Sequence, residues 1–377
     1  MNGTINIRPV ETNADLVRFL KLPEGLYADN PHWVCPLLIE RKGFFNRRKN
    51  PFFKYADVAL FIAIKNGVPV GRISAHISHT HNEYHHERTG FFGFFETIDE
   101  YTVAEALLRT AVDWVRGKGM DRVRGPMNFT TNHEVGLLID AFDRPPVIMM
   151  PYNPEYYAEF LERFGFAKAM DLYAYYGTDA QPIPERVRRV ITRVKEHTGC
   201  TIRPIDFGKF DREVAAIKVV YNGAWADNWG FIPLTDEEFD FTAKDMKQIA
   251  DPELILIAED GKRPVGFSMA LPDFNQVLIR LKGRLLPFGL FKLLWWTKVR
   301  RAADGVRVLT MGVLPEYRKR GLDNVFYLET FERGVARGYH WGEFSWILEN
   351  NEMMNRAAEN LGYRRYKTYR IYDYQLR

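Results

Sequence analysis

The chain repeats itself at a nearly constant interval. Ile-Arg-Pro at 7–9 returns at 202–204, and Pro-Val-Gly at 69–71 returns at 264–266, in both cases 195 residues later. Gly-Phe at 165–166 has a counterpart in Gly-Tyr at 362–363. Single short matches mean little, but matches in the same order at one interval indicate two copies of one fold. We therefore expect one domain at 1–178, a linker and helix at 179–199, and a second domain at 200–377.

The order of predicted elements is also the same in both halves. Each half opens with a short strand and a helical region, and then a hairpin follows. The first hairpin turns at Asn66-Gly67 and the second at Asp260-Gly261, dipeptides that favour tight hairpin turns. Each half then continues with a strand, a long amphipathic helix, another strand, a shorter helix and a final aromatic strand. Strands interleaved with helices predict the α/β (α+β) class, with a mixed central sheet flanked by helices in each domain.

Composition limits the class of protein. Of 377 residues, 52 are Lys or Arg and 48 are Asp or Glu, so the net charge is only +4. This excess suits anionic small molecules better than nucleic acid, which we do not expect as a partner. The two cysteines, Cys35 and Cys200, form no CxxC pair and favour a reducing cytoplasm. No apolar run is long enough for a transmembrane helix.

The sharpest local signal lies at 308–323. An apolar strand runs into a basic, glycine-containing loop that opens a helix. The unpaired N–H groups and the dipole at a helix N-terminus form an anion site, and Arg318, Lys319 and Arg320 add positive charge.

This pattern resembles the acyl-CoA-binding motif of the GNAT superfamily of N-acyltransferases, in which such a loop holds the pyrophosphate of the coenzyme. Asn351 stands 11 residues before Gly362, a spacing that the superfamily shares. The resemblance implies an acyl-CoA co-substrate, no metal, and pantetheine bound along the strand backbone. The implied coenzyme site comprises Met311, Gly312, Val313, Arg318, Lys319, Arg320, Gly321, Leu322, Asp323 and Asn351.

A more specific resemblance covers nearly the whole chain. It is to a bacterial family of tandem GNAT proteins that includes ceramide-synthase-like acyltransferases, which move a fatty acyl group from a thioester to the amine of a sphingoid base. The sequence segments that show this resemblance lie at 31–38, 49–53, 71–73, 92–96, 221–222, 228–233, 271–273 and 343–351. The resemblance implies an N-acyltransferase whose acceptor is a primary amine, either a lipid amine or a small polar one.

Three positions depart from the superfamily pattern. Asp323 takes the place of a small residue, where a carboxylate repels pyrophosphate unless its side chain turns to cap the helix. Ala358 stands where a tyrosine often protonates the leaving thiolate. Acidic residues at 96–100 occupy the phosphate loop of the first copy, so we expect the first domain to bind no coenzyme.

Three residues are candidates for the general base. An amine with a pKa near 10 is mostly charged at pH 7, so a base must take its proton. His133 and Glu134 lie in a polar loop after a strand, where they can line a cleft between the domains. Glu349 ends a strand on which it shares a face with Glu343. The alternatives are a turn-rich connector for the loop and a solvated strand end for Glu349.

Two further segments have competing interpretations. Residues 276–301 carry seven cations and no acid, interleaved with leucines, Trp295 and Trp296. This composition is typical of a peripheral membrane element, and the alternative is a helical hairpin packed on the other domain. His79 and His81 offer two metal ligands on one strand face, but a polar loop is the favoured interpretation, and we expect no metal.

Two other functions remain open from the sequence. Asp323 and Ala358 favour a protein that kept the fold as a lipid- or metabolite-binding module and lost the chemistry. A tandem GNAT enzyme that takes aminoacyl groups from tRNA is the third hypothesis, and the weak charge excess counts against it.

Overall fold

The computed structural model describes residues 4–181, 183–225, 228–285, 287, 289–300 and 302–376, with the backbone alone at Lys298. The chain forms two compact units. The first comprises Met1–Leu172, Leu278–Leu293 and Lys367–Arg377, and the second comprises Tyr173–Val277 and Leu294–Tyr366. The end of the chain therefore belongs to the same unit as its beginning. The domain limits expected from the repeat stay a prediction.

The elements of the first half follow the predicted order. The strands are β1 (Ile5–Pro9), β2 (Ala56–Lys65), β3 (Val68–Ser78), β4 (Thr89–Thr97), β5 (Arg122–Gly125), β6 (Leu137–Leu138) and β7 (Ala167–Thr178). The helices are α1 (Asn13–Leu26), α2 (Leu38–Phe44), α3 (His79–His85), α4 (Tyr101–Gly117) and α5 (Tyr156–Phe164).

The second half repeats this order with insertions. The strands are β8 (Thr201–Pro204), β9 (Ile255–Asp260), β10 (Arg263–Pro272), β11 (Gly305–Val313), β12 (Trp341–Leu348) and β13 (Arg364–Gln375). The helices are α6 (Glu185–His197), α7 (Phe210–Ala224), α8 (Asp236–Lys247), α9 (Asn275–Leu281), α10 (Gly289–Leu294), α11 (Leu322–Ala336) and α12 (Glu352–Asn360). Both predicted hairpins are confirmed, as are the long amphipathic helices that correspond to α4 and α11.

The expectation for the histidine-rich segment was wrong. Residues 79–85 form helix α3 rather than a strand or a loop. Ser78 starts this helix because its hydroxyl accepts a hydrogen bond from the backbone N–H of His81. His81 is buried on the inner side of the helix, whereas His79 is exposed, so the two rings do not share a strand face.

The first unit has a mixed sheet with a distinct core on each face. Its strands run in the order β1-β2-β3-β4-β5, and the β13 residues 372–375 pair with β5. Strands β4 and β5 pair in parallel, and the neighbours from β1 to β4 are antiparallel. On β3, Ile73 and Ile77 face the buried side of α4. The alternate residue His76 faces an aromatic cluster that contains Phe52 and Phe129.

The second unit has a sheet of related design. Its strands run in the order β8-β9-β10-β11-β12, with β11 and β12 parallel and the other neighbours antiparallel. Helix α11 buries Leu322 and Phe326 against one face of this sheet. Helix α7 packs through Val220 and Ala224. Both helices also contact β11, the strand that opens the segment 308–323.

The last strand stabilises the first unit, which gives a test. Tyr372 is fully buried in the same cluster as α4, and its hydroxyl donates a hydrogen bond to Glu162 (3.1 Å). Tyr372→Ala is expected to cost on the order of 3 kcal/mol because it leaves a cavity in a core. Hydrogen exchange should show lost protection in β5. Gln375→Ala, exposed on the same strand, is the control. Unchanged β5 protection in Tyr372→Ala would contradict this assignment.

Candidate functional site

Strand β11 has one fully paired edge and one edge that opens. Along β10 its pairing extends from Val306 to Val313. The parallel ladder with β12 covers only four rungs and ends at Val308 opposite Phe344, although both strands continue. Backbone N–H and C=O groups need hydrogen-bond partners when they are buried. The β11 backbone beyond Val308 therefore offers its groups to a ligand on this side.

A bulge lies at the point where the ladder ends. Met269 of β10 pairs with Thr310 and Ala270 pairs with Val308, which leaves Leu309 as an extra residue on β11. Such a bulge bends the strand and increases its local twist. The bend accounts for the separation of β11 from β12 beyond this rung. Met311, Gly312 and Val313, which the sequence assigned to the coenzyme, all lie on this open stretch.

The open stretch leads into a helix N-terminus. Residues Pro315–Arg320 form a 3-10 turn, and Gly321 follows with φ of 72°, a left-handed conformation that favours glycine. Gly321 is the residue before α11 and has no side chain to cap it. The first N–H groups of α11 therefore remain available, as an anion site requires.

The three basic residues of the loop differ in their contacts. Arg318 donates a hydrogen bond to the carbonyl of Ala224 at the end of α7 (2.8 Å). Arg320 stacks on Tyr317, with its guanidinium carbon 4.3 Å from the ring centre. Lys319 is exposed on the loop. All three charges lie within the turn that precedes Gly321, but Arg318 also has a structural role.

Asp323 sits inside the first turn of α11. Its carboxylate accepts a hydrogen bond from the side-chain amide of Asn324 (3.3 Å). Burial raises the pKa of Asp323, and the nearby backbone N–H groups of Asp323 and Asn324 act to lower it. A carboxylate in the first turn of a helix interacts favourably with the helix dipole.

Asn351 and Glu349 lie at the end of β12. Asn351 caps α12, since its side chain accepts a hydrogen bond from the N–H of Met354 (3.2 Å). Glu349 lies in the turn just before it, and its carbonyl accepts a hydrogen bond from the Asn355 amide (3.4 Å). Ala358 is fully buried in the core between α12 and the sheet. A coenzyme role for Asn351 and a catalytic role for Glu349 stay predictions.

His133 and Glu134 belong to the first unit. Burial lowers the pKa of His133 to about 4, so its imidazole is neutral at pH 7. Burial acts to raise the pKa of Glu134, but the charge of Arg41 and the hydrogen bonds from Arg41 and Asn128 together bring the pKa below its usual value. Arg41 donates to one carboxylate oxygen, and the Asn128 amide donates to the other (2.7 Å). The role of both residues in catalysis stays a prediction.

The loop that contains Asn128 and Glu134 lies along one edge of strand β4. As in the second unit, a short parallel ladder ends early, here at Phe91 opposite Arg124, and a bulge follows. In this unit, however, the N–H of Phe94 donates to the Asn128 side chain (2.7 Å). The N–H of Met127 donates to the carbonyl of Phe92 (2.8 Å). The chain itself thus occupies the edge that stays open along β11.

Two acidic residues of the stretch 96–100 have hydrogen-bond partners within the first unit. Glu96 is buried and accepts hydrogen bonds from the hydroxyls of Tyr27 (2.7 Å) and Tyr157 (2.9 Å). Burial raises the pKa of Glu96, with the charge of Arg72 opposing it. Glu100 accepts hydrogen bonds from the Lys65 ammonium (2.6 and 2.7 Å). No anion-binding loop is formed by these described residues.

Aromatic side chains cover one face of β11, a feature that sequence reasoning missed. Tyr221 and Trp225, one helical turn apart, pack against each other in a tilted arrangement with ring centres 4.8 Å apart. Trp225 also contacts Phe267 of β10 (5.5 Å). The i, i+4 spacing of Tyr221 and Trp225 was the available signal, since it places both rings on one side of a helix.

Comparison with known proteins places the chain in a family. No family model matches it. It is 39% identical to the bacterial ceramide synthase of Caulobacter vibrioides, over 99% of this chain and 98% of that protein. It is 36% identical to protein YghO of Escherichia coli, over 98% of this chain and 95% of that protein.

Solved structures share the fold at low sequence identity. A tandem GNAT protein from the clavulanic acid biosynthesis pathway has a TM-score of 0.60 at 11% identity, covering 99% of this chain and 98% of that one. A GCN5-related N-acetyltransferase from Sphaerobacter thermophilus has a TM-score of 0.52 at 14% identity, with 99% and 96% covered. The expected mixed α/β GNAT fold is confirmed. This chain belongs to the family of tandem GNAT N-acyltransferases that includes the bacterial ceramide synthase.

Proposed function

We propose that the second unit binds an acyl-CoA and transfers its acyl group to a primary amine. The observation that carries this proposal is the open edge of β11, which is followed by the basic turn Pro315–Arg320 and by the N-terminus of α11, where Gly321 supplies no side-chain cap. The unpaired backbone groups of the edge can form hydrogen bonds with the amides of pantetheine, and the N–H groups of the helix N-terminus can bind the pyrophosphate. Lys319 and Arg320 supply further positive charge beside it.

The acceptor follows from family membership. The relative from Caulobacter vibrioides is named a ceramide synthase, and a ceramide carries a fatty acyl group on the amine of a sphingoid base. We infer that this chain acylates a sphingoid or another lipid amine with a long acyl chain. An acetyltransferase acting on a small polar amine is the alternative within the same chemistry.

The reaction needs a neutral amine. The nitrogen lone pair attacks the thioester carbonyl, the C–N bond forms and the C–S bond breaks, the nitrogen loses a proton to become an amide, and the departing thiolate takes up a proton to become the thiol. A protonated amine has no lone pair for attack, so a base must first remove its proton. His133, Glu134 and Glu349 remain the candidates for this base. Glu134 would have to act while it pairs with Arg41.

One coenzyme per chain is part of this proposal. The β4 edge of the first unit is filled by Met127 and Asn128 of the same unit. Binding of pantetheine there would require these hydrogen bonds to break. The first unit would then serve as a partner domain without a coenzyme.

A non-catalytic binding protein is the competing function. The position of Asp323 favours it, because its carboxylate lies in the first turn of the helix whose N-terminus would receive the pyrophosphate, where like charges repel. Such a protein would bind lipid or metabolite and would release no thiol from any acyl-CoA. Measurement of thiol release with a sphingoid base and a series of acyl-CoA donors distinguishes the two functions.

We also propose that part of the 276–301 segment contacts an anionic lipid surface. Its first part is packed, since Val277 and Leu281 are buried. Its second part exposes Leu290, Phe291, Leu294, Trp295 and Val299, and Phe291 is 71% exposed. Lys292 and Arg300 lie among these residues. Arg301, Leu286 and Phe288 lie outside the described residues, as does the side chain of Lys298.

Charge and aromatic composition favour a membrane as the occupant of this surface. Each cation near an anionic bilayer contributes about 1 kcal/mol, and an aromatic ring that leaves water adds to this. Together, the contributions of the cations and the aromatic rings are sufficient for reversible peripheral binding to the membrane. None of the helices in the described part of the chain is long and apolar enough to span a bilayer.

The coenzyme loop gives a direct test. Lys319→Glu with Arg320→Glu should raise the Kd for CoA about 100-fold, because two charge-assisted contacts to phosphate are worth roughly 3 kcal/mol. Arg318 is left in place because it holds the end of α7. Calorimetric titration measures the affinity. Arg109→Glu with Arg116→Glu, two exposed positions on α4, is the control with the same charge change. An unchanged Kd in the loop variant would remove this coenzyme site.

The lipid surface gives a second test. The wild type should co-sediment with vesicles that contain phosphatidylglycerol at low salt, and rising salt should release it. Phe291→Ser with Trp295→Ser should weaken this binding tenfold or more, because two rings no longer leave water. Ile39→Ser is the matched control, since Ile39 is also 71% exposed but lies outside the segment. Wild-type protein that stays in the supernatant at low salt would refute the surface.

A further inference from the structure

The aromatic cover on β11 bears on which acyl group the site accepts. Tyr221, Trp225, Phe231 and Phe267 form a contiguous layer, which we call the aromatic layer. The ring centres of Tyr221 and Phe231 are 5.7 Å apart, and Phe239 lies against Tyr221 on the outer side (5.8 Å). The ring faces of this layer are apolar, as a surface that receives hydrocarbon should be.

Trp225 lies directly on the backbone of the open edge. Gly312 has no side chain, and a methyl group there would overlap the Trp225 ring. The indole therefore occupies the volume that a side chain at position 312 would take. Among the members of the aromatic layer, Trp225 is the one that touches the stretch Met311–Val313 in this way.

The opposite face of β11 is closed. Helix α11 packs there, with Leu322, Val325 and Phe326 fully buried. Phe326 lies so close to Gly266 of β10 that a methyl group at position 266 would be 3.0 Å from its ring. On the side of the aromatic layer, by contrast, Thr310, Tyr221 and Trp225 are partly exposed. An acyl group that projects from the open edge therefore has room on the side of the aromatic layer.

We propose that Trp225 sets the length of acyl chain that the second unit transfers. This inference rests on the proposed function, because it takes the thioester to lie along Met311–Val313. The indole forms the wall against which the acyl chain ends. Each methylene that contacts an apolar wall contributes to binding, whereas a chain that is too long for the site clashes with it.

The substitution Trp225→Ala tests this assignment. We measure kcat/KM by thiol release with a sphingoid base and saturated acyl-CoA donors from acetyl-CoA to tetracosanoyl-CoA. The variant should prefer a longer donor than the wild type does. The ratio of kcat/KM for the new and the old optimum should change tenfold or more, in keeping with the effect of one or two methylenes in an apolar pocket. Trp225→Phe, which removes less volume, should give an intermediate shift.

The chain provides a matched control on the same strand. Trp341 lies on Gly305, where a methyl group would overlap its indole in the same manner. Its ring nitrogen donates to Asp304 (2.8 Å), and Gly305 is at the opposite end of β11 from the open edge. Trp341→Ala thus removes an indole from a β11 glycine without touching the acyl side. It should destabilise the unit and leave the donor preference unchanged.

The outcomes separate the inference from the proposed function. A shift to longer donors in Trp225→Ala but not in Trp341→Ala supports the inference. An active wild type whose donor preference is the same in Trp225→Ala and Trp225→Phe overturns it, as does an equal shift in both tryptophan variants. A wild type that releases thiol from none of the donors overturns the proposed function itself. Calorimetry with octanoyl-CoA and palmitoyl-CoA should show the same change of preference in binding alone.

Discussion

The separation of β11 from β12 after four rungs is the constraint on which the candidate site depends. Two parallel strands that stayed paired to their ends would satisfy every backbone group and leave nothing for a ligand. The extra residue Leu309 bends β11 at the rung where pairing stops. Met311–Val313 therefore keep unpaired backbone groups on one side while β10 holds them on the other. The 3-10 turn Pro315–Arg320 connects this stretch to the N-terminus of α11, so the candidate anion site follows the open edge along the chain.

The two copies differ in what lies along the strand edge beyond the short parallel ladder. Strands β4 and β11 each carry a bulge beyond a short parallel ladder. In the first unit the Asn128 side chain and the Met127 backbone supply the missing hydrogen bonds, and Glu134 holds Asn128 in place. In the second unit no described loop of that unit does so. In the first copy the strand edge is therefore filled by hydrogen bonds within the unit, whereas in the second copy the corresponding edge is open.

Much of the fold was predictable from the sequence because its signals are local. The turns at Asn66 and Gly261 and the apolar spacing of α4 are read within a few residues, and the structure confirms them. Helix α3 was missed because its cap depends on one hydroxyl, that of Ser78. The loop 315–321 was predictable as an anion site since charge, glycine and helix are contiguous.

The remaining site features are tertiary. The partner of Glu134 is Arg41, 93 residues away, and no spacing rule connects them. The contact of Trp225 with Gly312 joins the end of a helix to a strand that follows much later in the chain. The hydrogen bond of Arg318 to Ala224 has the same character and could not be foreseen. Sequence therefore indicated a candidate coenzyme loop, but not the side chains that lie beside it.

Hydrogen exchange in the presence and absence of acetyl-CoA tests the central claim most directly, because it reports on each strand edge separately. The account predicts that the ligand slows exchange at the backbone amides of Met311–Val313 and in the first turn of α11. Amides of β4 from Gly93 to Glu96 should exchange as before, since their edge is already filled. Protection that appears at β4, or unchanged exchange along β11 at saturating ligand, would contradict the account.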